Sequence, residues 1–173
     1  NMITSGSVLC GMFSLMLTYQ RLFLPSALVL IIAVFFDYMD GKVARSLGGS
    51  SAFGEELDSL ADSLSFGAAP AFLIYAKYIG LEGGTFSLFA TAFFVLCGVL
   101  RLARFNVNTA VVDKRYFQGL PSPAAAALVA GFIWLMTELG VRPGEDHWLT
   151  WSQVTWIMFA FTLYAGLTMV TNV

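Results

Sequence analysis

Long apolar segments fill almost all of this sequence, and they restrict the possible folds more than any other feature. A helix needs about 20 mostly apolar residues to cross a bilayer, and the chain holds roughly six such segments, at about 2–19, 24–44, 55–79, 85–104, 121–139 and 148–171. With 58% hydrophobic and 12% charged residues, the 173-residue chain is too apolar for a soluble domain of this length. We therefore expect an all-α membrane protein with six transmembrane helices, in which residues 1–173 form one domain.

The basic residues are distributed unequally between the two ends of these segments. The connections after the second and fourth segments hold Lys42, Arg45, Arg101, Arg104, Lys114 and Arg115. The opposite side holds Arg21, Lys77 and Arg142. Because basic residues favour the cytoplasmic side, both termini and the more basic connections are predicted to be cytoplasmic. No basic run with interleaved aromatic residues is present, which argues against nucleic-acid binding.

Two aspartates lie near the cytoplasmic end of the second segment. Asp37 and Asp40 are three residues apart, and with Gly41 and Ala44 they fall on one face of a helix. An ionised side chain at mid-bilayer costs roughly 2.5 to 3.5 kcal/mol, so these carboxylates need a positively charged partner. The small neighbours leave room beside them for a ligand or another helix.

The third segment carries a second acidic face. Gly54, Asp58 and Asp62 recur every four residues, and the glycines and serines at 48–51 predict a turn that brings this face opposite the first. Four carboxylates would repel one another strongly unless cations lie between them. The two faces are therefore predicted to form one cation site.

Carboxylate oxygens suit hard divalent cations such as Mg²⁺ or Mn²⁺, and two such ions would balance the formal charge of four aspartates. A pair of ions about 3.5 to 4 Å apart orients a phosphoryl group and stabilises its in-line displacement. Arg45, one turn beyond Gly41, is placed to bind a phosphate oxygen. The pattern indicates phosphoryl transfer.

Two simpler interpretations stay open at this stage. Acidic residues within membrane helices also mark ion or proton paths, so the chain could be a metal ion carrier. Asp40 could instead form a structural ion pair with Lys42 or Arg45. The regular spacing of small and acidic residues on two helices favours a ligand site over either alternative.

The pattern D-x2-D-G-x2-A-R-x8-G-x3-D-x3-D, which runs from Asp37 to Asp62, resembles the signature of the CDP-alcohol phosphotransferases, and the resemblance extends over the whole chain. It implies six membrane helices with the motif on the second and third. It also implies that Asp37, Asp40 and Asp58 hold two metal ions. Asp62 would be the general base for the attacking alcohol and would also contact a metal ion.

The same resemblance implies how the donor is bound. Gly41, Ala44 and Gly54 match positions that line the cytidine pocket in the family, and Arg45 matches an arginine near the diphosphate. The donor would be a CDP-linked lipid, CMP would leave, and the enzyme would be a homodimer. We expect the protein to lie in the cell membrane, and the distribution of basic residues predicts that the site faces the cytoplasm.

Shorter segments at 101–106 and 117–123, with 1–4 and 9–11, look like those of the serine-transferring branch of the family. They imply transfer of a lipid-phosphate group from CDP-diacylglycerol, or an ether-lipid equivalent, to the hydroxyl of L-serine in phospholipid biosynthesis. Glycerol phosphate or inositol phosphate is the alternative acceptor.

The candidate acceptor-binding residues are Arg101, Arg104 and Ser122. The arginines are three apart at the cytoplasmic end of the fourth segment, so they are predicted to share a face on the catalytic side. Ser122 lies where Pro121 and Pro123 predict a helix start, and free amides there attract anions. The alternative is that the arginines extend to lipid headgroups and that the prolines only begin the helix.

Overall fold

The computed structural model describes residues 2–46, 52–80, 84–108, 120–141 and 150–171, and these residues form helices and short connections without any strand. The prediction of an all-α fold is confirmed for this part of the chain. The α-helices are α1 (Met2–Tyr19), α2 (Phe23–Ser46), α3 (Ala52–Asp62), α4 (Ala69–Ile74), α5 (Gly84–Asn108), α6 (Ser122–Glu138) and α7 (Trp151–Val170). Two π-helical segments, Ser63–Ala68 and Tyr75–Ile79, follow α3 and α4.

Three of the described helices are long and apolar enough to cross a membrane, with spans at Phe23–Val43, Gly84–Arg104 and Trp151–Val170. The 17-residue α6 is also apolar but shorter. Large apolar side chains on the outside, such as Phe86 and Trp156 with 77% and 64% of their surface exposed, fit a protein surrounded by lipid. The count of six spans and the cytoplasmic termini stay predictions.

The third predicted segment is not a uniform α-helix. The amide of Ala69 bonds to the carbonyl of Leu64, five residues earlier, so the chain widens into a π turn. Pro70 follows at once, and a proline inside a helix lacks an amide donor and crowds the carbonyl four residues before it. The wider turn gives the proline space and lies directly after Asp62.

A buried hydroxyl network joins α1 to α2 at the end remote from the aspartates. The Ser14 and Ser26 hydroxyls are 2.8 Å apart, and Thr18 Oγ1 lies 2.7 Å from Ser26 Oγ. Thr18 Oγ1 and Ser26 Oγ also donate to the carbonyl of Ser14. The hydroxyls satisfy one another away from water, so the network fixes the α1–α2 hairpin without leaving an uncompensated polar group.

The largest apolar core lies among α2, α4, α6 and α7. It includes Leu30, Leu73, Ile133 and Met158, each fully buried. This core packs α2, which carries Asp37 and Asp40, and α4, which continues the chain beyond Asp62, against α6 and α7. The acidic side chains therefore project from a packed scaffold, which suits a site whose geometry must be reproducible.

Candidate active site

Asp37, Asp58 and Asp62 form an acidic cluster between α2 and α3. Each offers a carboxylate oxygen, and the three oxygens lie within 4.8 Å of one another. The four-residue interval places Asp58 and Asp62 on one face of α3, opposite Asp37 of α2. The spacing predicted that the acidic faces of two helices lie opposite each other, and these three residues have that arrangement.

The donor set and its environment fit a divalent cation. Three carboxylates this close repel one another when ionised, and the repulsion is strong where water is scarce. Within the described part of the chain, the buried Asp62 Oδ1 has no hydrogen-bond partner. A buried carboxylate oxygen without a donor is costly, and a cation bound among the oxygens would remove both the repulsion and the missing contact.

Asp40 lies beside this cluster rather than within it. Its carboxylate is close enough to Asp37 and Asp58 to interact with their charges, but it is not one of the three that converge. The Oδ2 atom accepts a hydrogen bond from Thr4 Oγ1 on α1. The role of Asp40 as a fourth metal ligand stays a prediction.

The small residues predicted to line a nucleotide pocket flank the cluster. Gly41 is exposed on α2, and a Cβ added there would meet no described atom within 4 Å, so open space adjoins the acidic site. Gly54 is half-buried on α3, one turn before Asp58. The side chains of Ala44 and Arg45 lie outside the described part of the structure, as do the turn at 48–51 and residues Lys114 and Arg115.

Arg101 of α5 is held beside the acidic cluster by α6. Its Nη1 donates to Ser122 Oγ at 3.0 Å, and its charge attracts Asp62. Ser122 is only 2% exposed and is the first residue of α6 after the extended Pro121. The buried Nε of Arg101 has no partner among the described residues, so the guanidinium retains a donor for an anion.

Arg104 has a different environment, although it is only three residues from Arg101. Its Nη1 reaches the carbonyl of Val170, at the end of α7, at 3.4 Å on the protein surface. Each arginine is thus held by a different neighbouring helix, Arg101 by α6 and Arg104 by α7. Of the three predicted acceptor-binding residues, the structure joins Arg101 and Ser122 directly, whereas Arg104 contacts α7.

The hydrogen bond from Thr4 to Asp40 was not predicted. Its signal in the sequence is a stripe of small and polar residues on one face of α1, formed by Thr4, Ser7 and Gly11. All three are buried, as expected for a face that approaches other helices closely. The Ser7 carbonyl accepts a 3.0 Å hydrogen bond from Ser65 Oγ, just beyond Asp62 in the chain.

Comparison with known proteins places these residues in a family. A model of the CDP-alcohol phosphatidyltransferase family matches residues 1–167. A Helicobacter pylori protein named CDP-diacylglycerol–serine O-phosphatidyltransferase is 34% identical over 173 residues, which cover 100% of this chain and 69% of that protein. A Saccharomyces cerevisiae protein of the same name is 47% identical over 116 residues, covering 63% of this chain and 41% of that protein. An archaetidylserine synthase of Methanothermobacter thermautotrophicus is 39% identical over 124 residues, covering 70% of this chain and 52% of that protein.

Proposed function

Because the chain belongs to the CDP-alcohol phosphatidyltransferase family, we propose that it transfers a phosphatidyl group from a CDP-linked lipid to the hydroxyl of L-serine. The serine oxygen forms a bond to the lipid phosphorus, the bond from that phosphorus to CMP breaks, and the hydroxyl proton leaves to a base. Relatives in a bacterium and a yeast that are named for this reaction support serine as the acceptor. The observation that carries the proposal is the convergence of Asp37, Asp58 and Asp62 beside Arg101.

The acidic cluster is proposed to hold two divalent cations, Mg²⁺ or Mn²⁺. Asp37, Asp58 and Asp62 supply converging oxygens, and Asp40 is proposed as the fourth ligand. Bound there, such ions neutralise charge on the phosphate oxygens of donor and leaving group. The buried Asp62 Oδ1, which has no partner in the part of the chain that the structure describes, supports this assignment.

Asp62 is proposed to take the proton of the serine hydroxyl. It is the last residue of α3, and among the described residues its buried Oδ1 has no hydrogen-bond partner. General bases of this kind accelerate a reaction by about 10²- to 10⁴-fold. The guanidinium of Arg101 is close enough to attract the Asp62 carboxylate electrostatically.

The carboxylate of serine is proposed to bind at Arg101. The hydrogen bond to Ser122 fixes one end of the guanidinium, while Nε has no described protein partner. A carboxylate bound there would place the serine hydroxyl on the same side as Asp62. Because Arg104 points to α7, we assign it a weaker contribution to acceptor binding.

On the donor side, Gly41, Ala44 and Gly54 are proposed to border the cytidine, and Arg45 to bind the diphosphate. Open space beside Gly41 supports this placement. We further propose six membrane spans, an active site facing the cytoplasm, location in the cell membrane and a homodimer. The unequal distribution of basic residues supports the orientation, and the family resemblance supports the dimer.

The test is release of CMP by the purified protein supplied with a CDP-lipid and a panel of alcohols. Diacyl and ether forms of the donor are compared, and L-serine, glycerol phosphate and inositol phosphate are the acceptors. We expect serine-dependent release that EDTA abolishes and added Mg²⁺ or Mn²⁺ restores. Release with glycerol phosphate or inositol phosphate but not with serine would refute the serine assignment, and metal flux into liposomes without nucleotide would support the ion-carrier alternative.

A further inference from the structure

Asp40 is held from outside the acidic cluster by a residue of α1. Thr4 Oγ1 donates to Asp40 Oδ2, although the two residues are 36 positions apart in the chain. Only 3% of the Thr4 surface is exposed, so water competes little for this hydrogen bond. A bond to one carboxylate oxygen restricts rotation of the carboxylate and thereby sets the direction of the other oxygen, Oδ1.

Thr4 lies on α1, which is joined by hydrogen bonds both to α2 and to the π segment that follows α3. At the remote end, the Ser14 and Ser26 hydroxyls join α1 to α2. Nearer the site, Ser65 Oγ donates to the Ser7 carbonyl and joins α1 to the π segment that follows Asp62. The hydroxyl that bonds to Asp40 is therefore carried by a packed helix and not by a loop.

From this arrangement we propose that Thr4 is a positioning residue of the metal site, which orients Asp40 so that Oδ1 faces the cations shared with the acidic cluster. The inference rests on the metal site proposed above. Side chains that hydrogen-bond a metal ligand fix its orientation, and their loss typically lowers metal affinity about 10- to 100-fold. Because Thr4 contacts the ligand, its effect should pass entirely through Asp40.

The inference is tested by Mn²⁺ titration of the detergent-purified full chain, with free Mn²⁺ followed by electron paramagnetic resonance and with neither CDP-lipid nor serine present. Thr4→Val removes the hydroxyl and keeps the shape, and we expect Mn²⁺ affinity to fall about 10- to 100-fold. Thr4→Ser keeps a hydroxyl and should restore most of the affinity. Thr162→Val is the matched control, because Thr162 is fully buried and, among the described residues, its hydroxyl bonds only within α7, to the carbonyl of Met158.

A double-variant comparison separates positioning from a general structural effect. In an Asp40→Asn background, Thr4→Val should cause no further loss of Mn²⁺ affinity. Wild-type affinity in Thr4→Val, poor binding by Thr4→Ser, or a further loss in the double variant would each overturn the inference. Thermal unfolding in EDTA identifies folded variants, and Thr4→Ala replaces Thr4→Val if the valine variant does not fold.

The outcomes also separate this inference from the proposed function. If the wild-type protein binds no Mn²⁺, both the metal site and the role of Thr4 are wrong. If the wild type binds Mn²⁺ and Thr4→Val binds it equally well, only the role of Thr4 is wrong. Serine-dependent release of CMP is measured independently of either result.

Discussion

A close helix contact beside the active site can be tested with a single methyl group. Gly11 of α1 faces Ser65, three residues beyond Asp62. A Cβ added at Gly11 would lie 2.5 Å from Ser65 Oγ and 3.0 Å from Ser65 Cα. Because Cα is a backbone atom, rotation of the serine side chain cannot relieve the whole overlap, and Gly11→Ala must push α1 and the π segment apart.

The size of the effect follows from three contributions. Overpacking of this kind costs about 1 to 3 kcal/mol, and losing the Ser65–Ser7 hydrogen bond costs about 1 kcal/mol more. Replacing glycine with alanine also stabilises the helix by about 1 kcal/mol, because alanine has the higher helix propensity, and this offsets part of the loss. We therefore expect a net loss of about 1 to 3 kcal/mol in the free energy of unfolding.

Gly131→Ala is the matched control. Gly131 is inside α6, and an added Cβ there would meet no described atom within 4 Å, so only the gain of about 1 kcal/mol in helix preference should remain. Thermal unfolding in detergent, followed by circular dichroism, should shift in opposite directions for the two variants, by about 2 to 4 °C for each kcal/mol. A melting temperature for Gly11→Ala at or above that of the wild type would refute the close packing of α1 against the π segment.

Two further predictions concern the chemistry of the site. Asp62→Asn should reduce turnover, measured by CMP release, by about 10²- to 10⁴-fold. Binding of the CDP-lipid, measured at equilibrium with labelled donor, should stay intact. Unchanged turnover would show that Asp62 is not the base. Arg101→Ala should raise the KM for serine much more than Arg104→Ala does. The reason is that Arg101 Nε, beside Asp62, has no partner among the described residues, whereas Arg104 reaches the surface carbonyl of Val170. Equal effects of the two arginine variants on KM would contradict this division of roles.

One part of the acidic site was predictable from helical periodicity, namely the helix face on which each carboxylate lies. The intervals between Asp37 and Asp40, and between Asp58 and Asp62, fix which face each carboxylate occupies before any packing is known. The mutual repulsion of these carboxylates is the physical basis of the proposed metal site. The all-α fold class was predicted just as directly, because apolar segments of this length must satisfy the hydrogen bonds of their backbone groups within a helix.

The partners of individual side chains were less predictable, because they depend on how neighbouring helices pack. Arg101 and Arg104 have similar positions in the sequence, yet one reaches the start of α6 and the other the end of α7. The bond between Thr4 and Asp40 requires the register of α1 against α2, which periodicity within each helix does not supply. The π turn after Asp62 had one local signal, Pro70, but a proline is equally compatible with a kink in an α-helix.

Anomalous scattering from crystals soaked in Mn²⁺ tests the metal assignment most directly. We expect peaks between α2 and α3, in contact with Asp37, Asp58 and Asp62, from two ions about 3.5 to 4 Å apart. Crystals that take up Mn²⁺ elsewhere, or that show these three carboxylates without any peak between them, would contradict it.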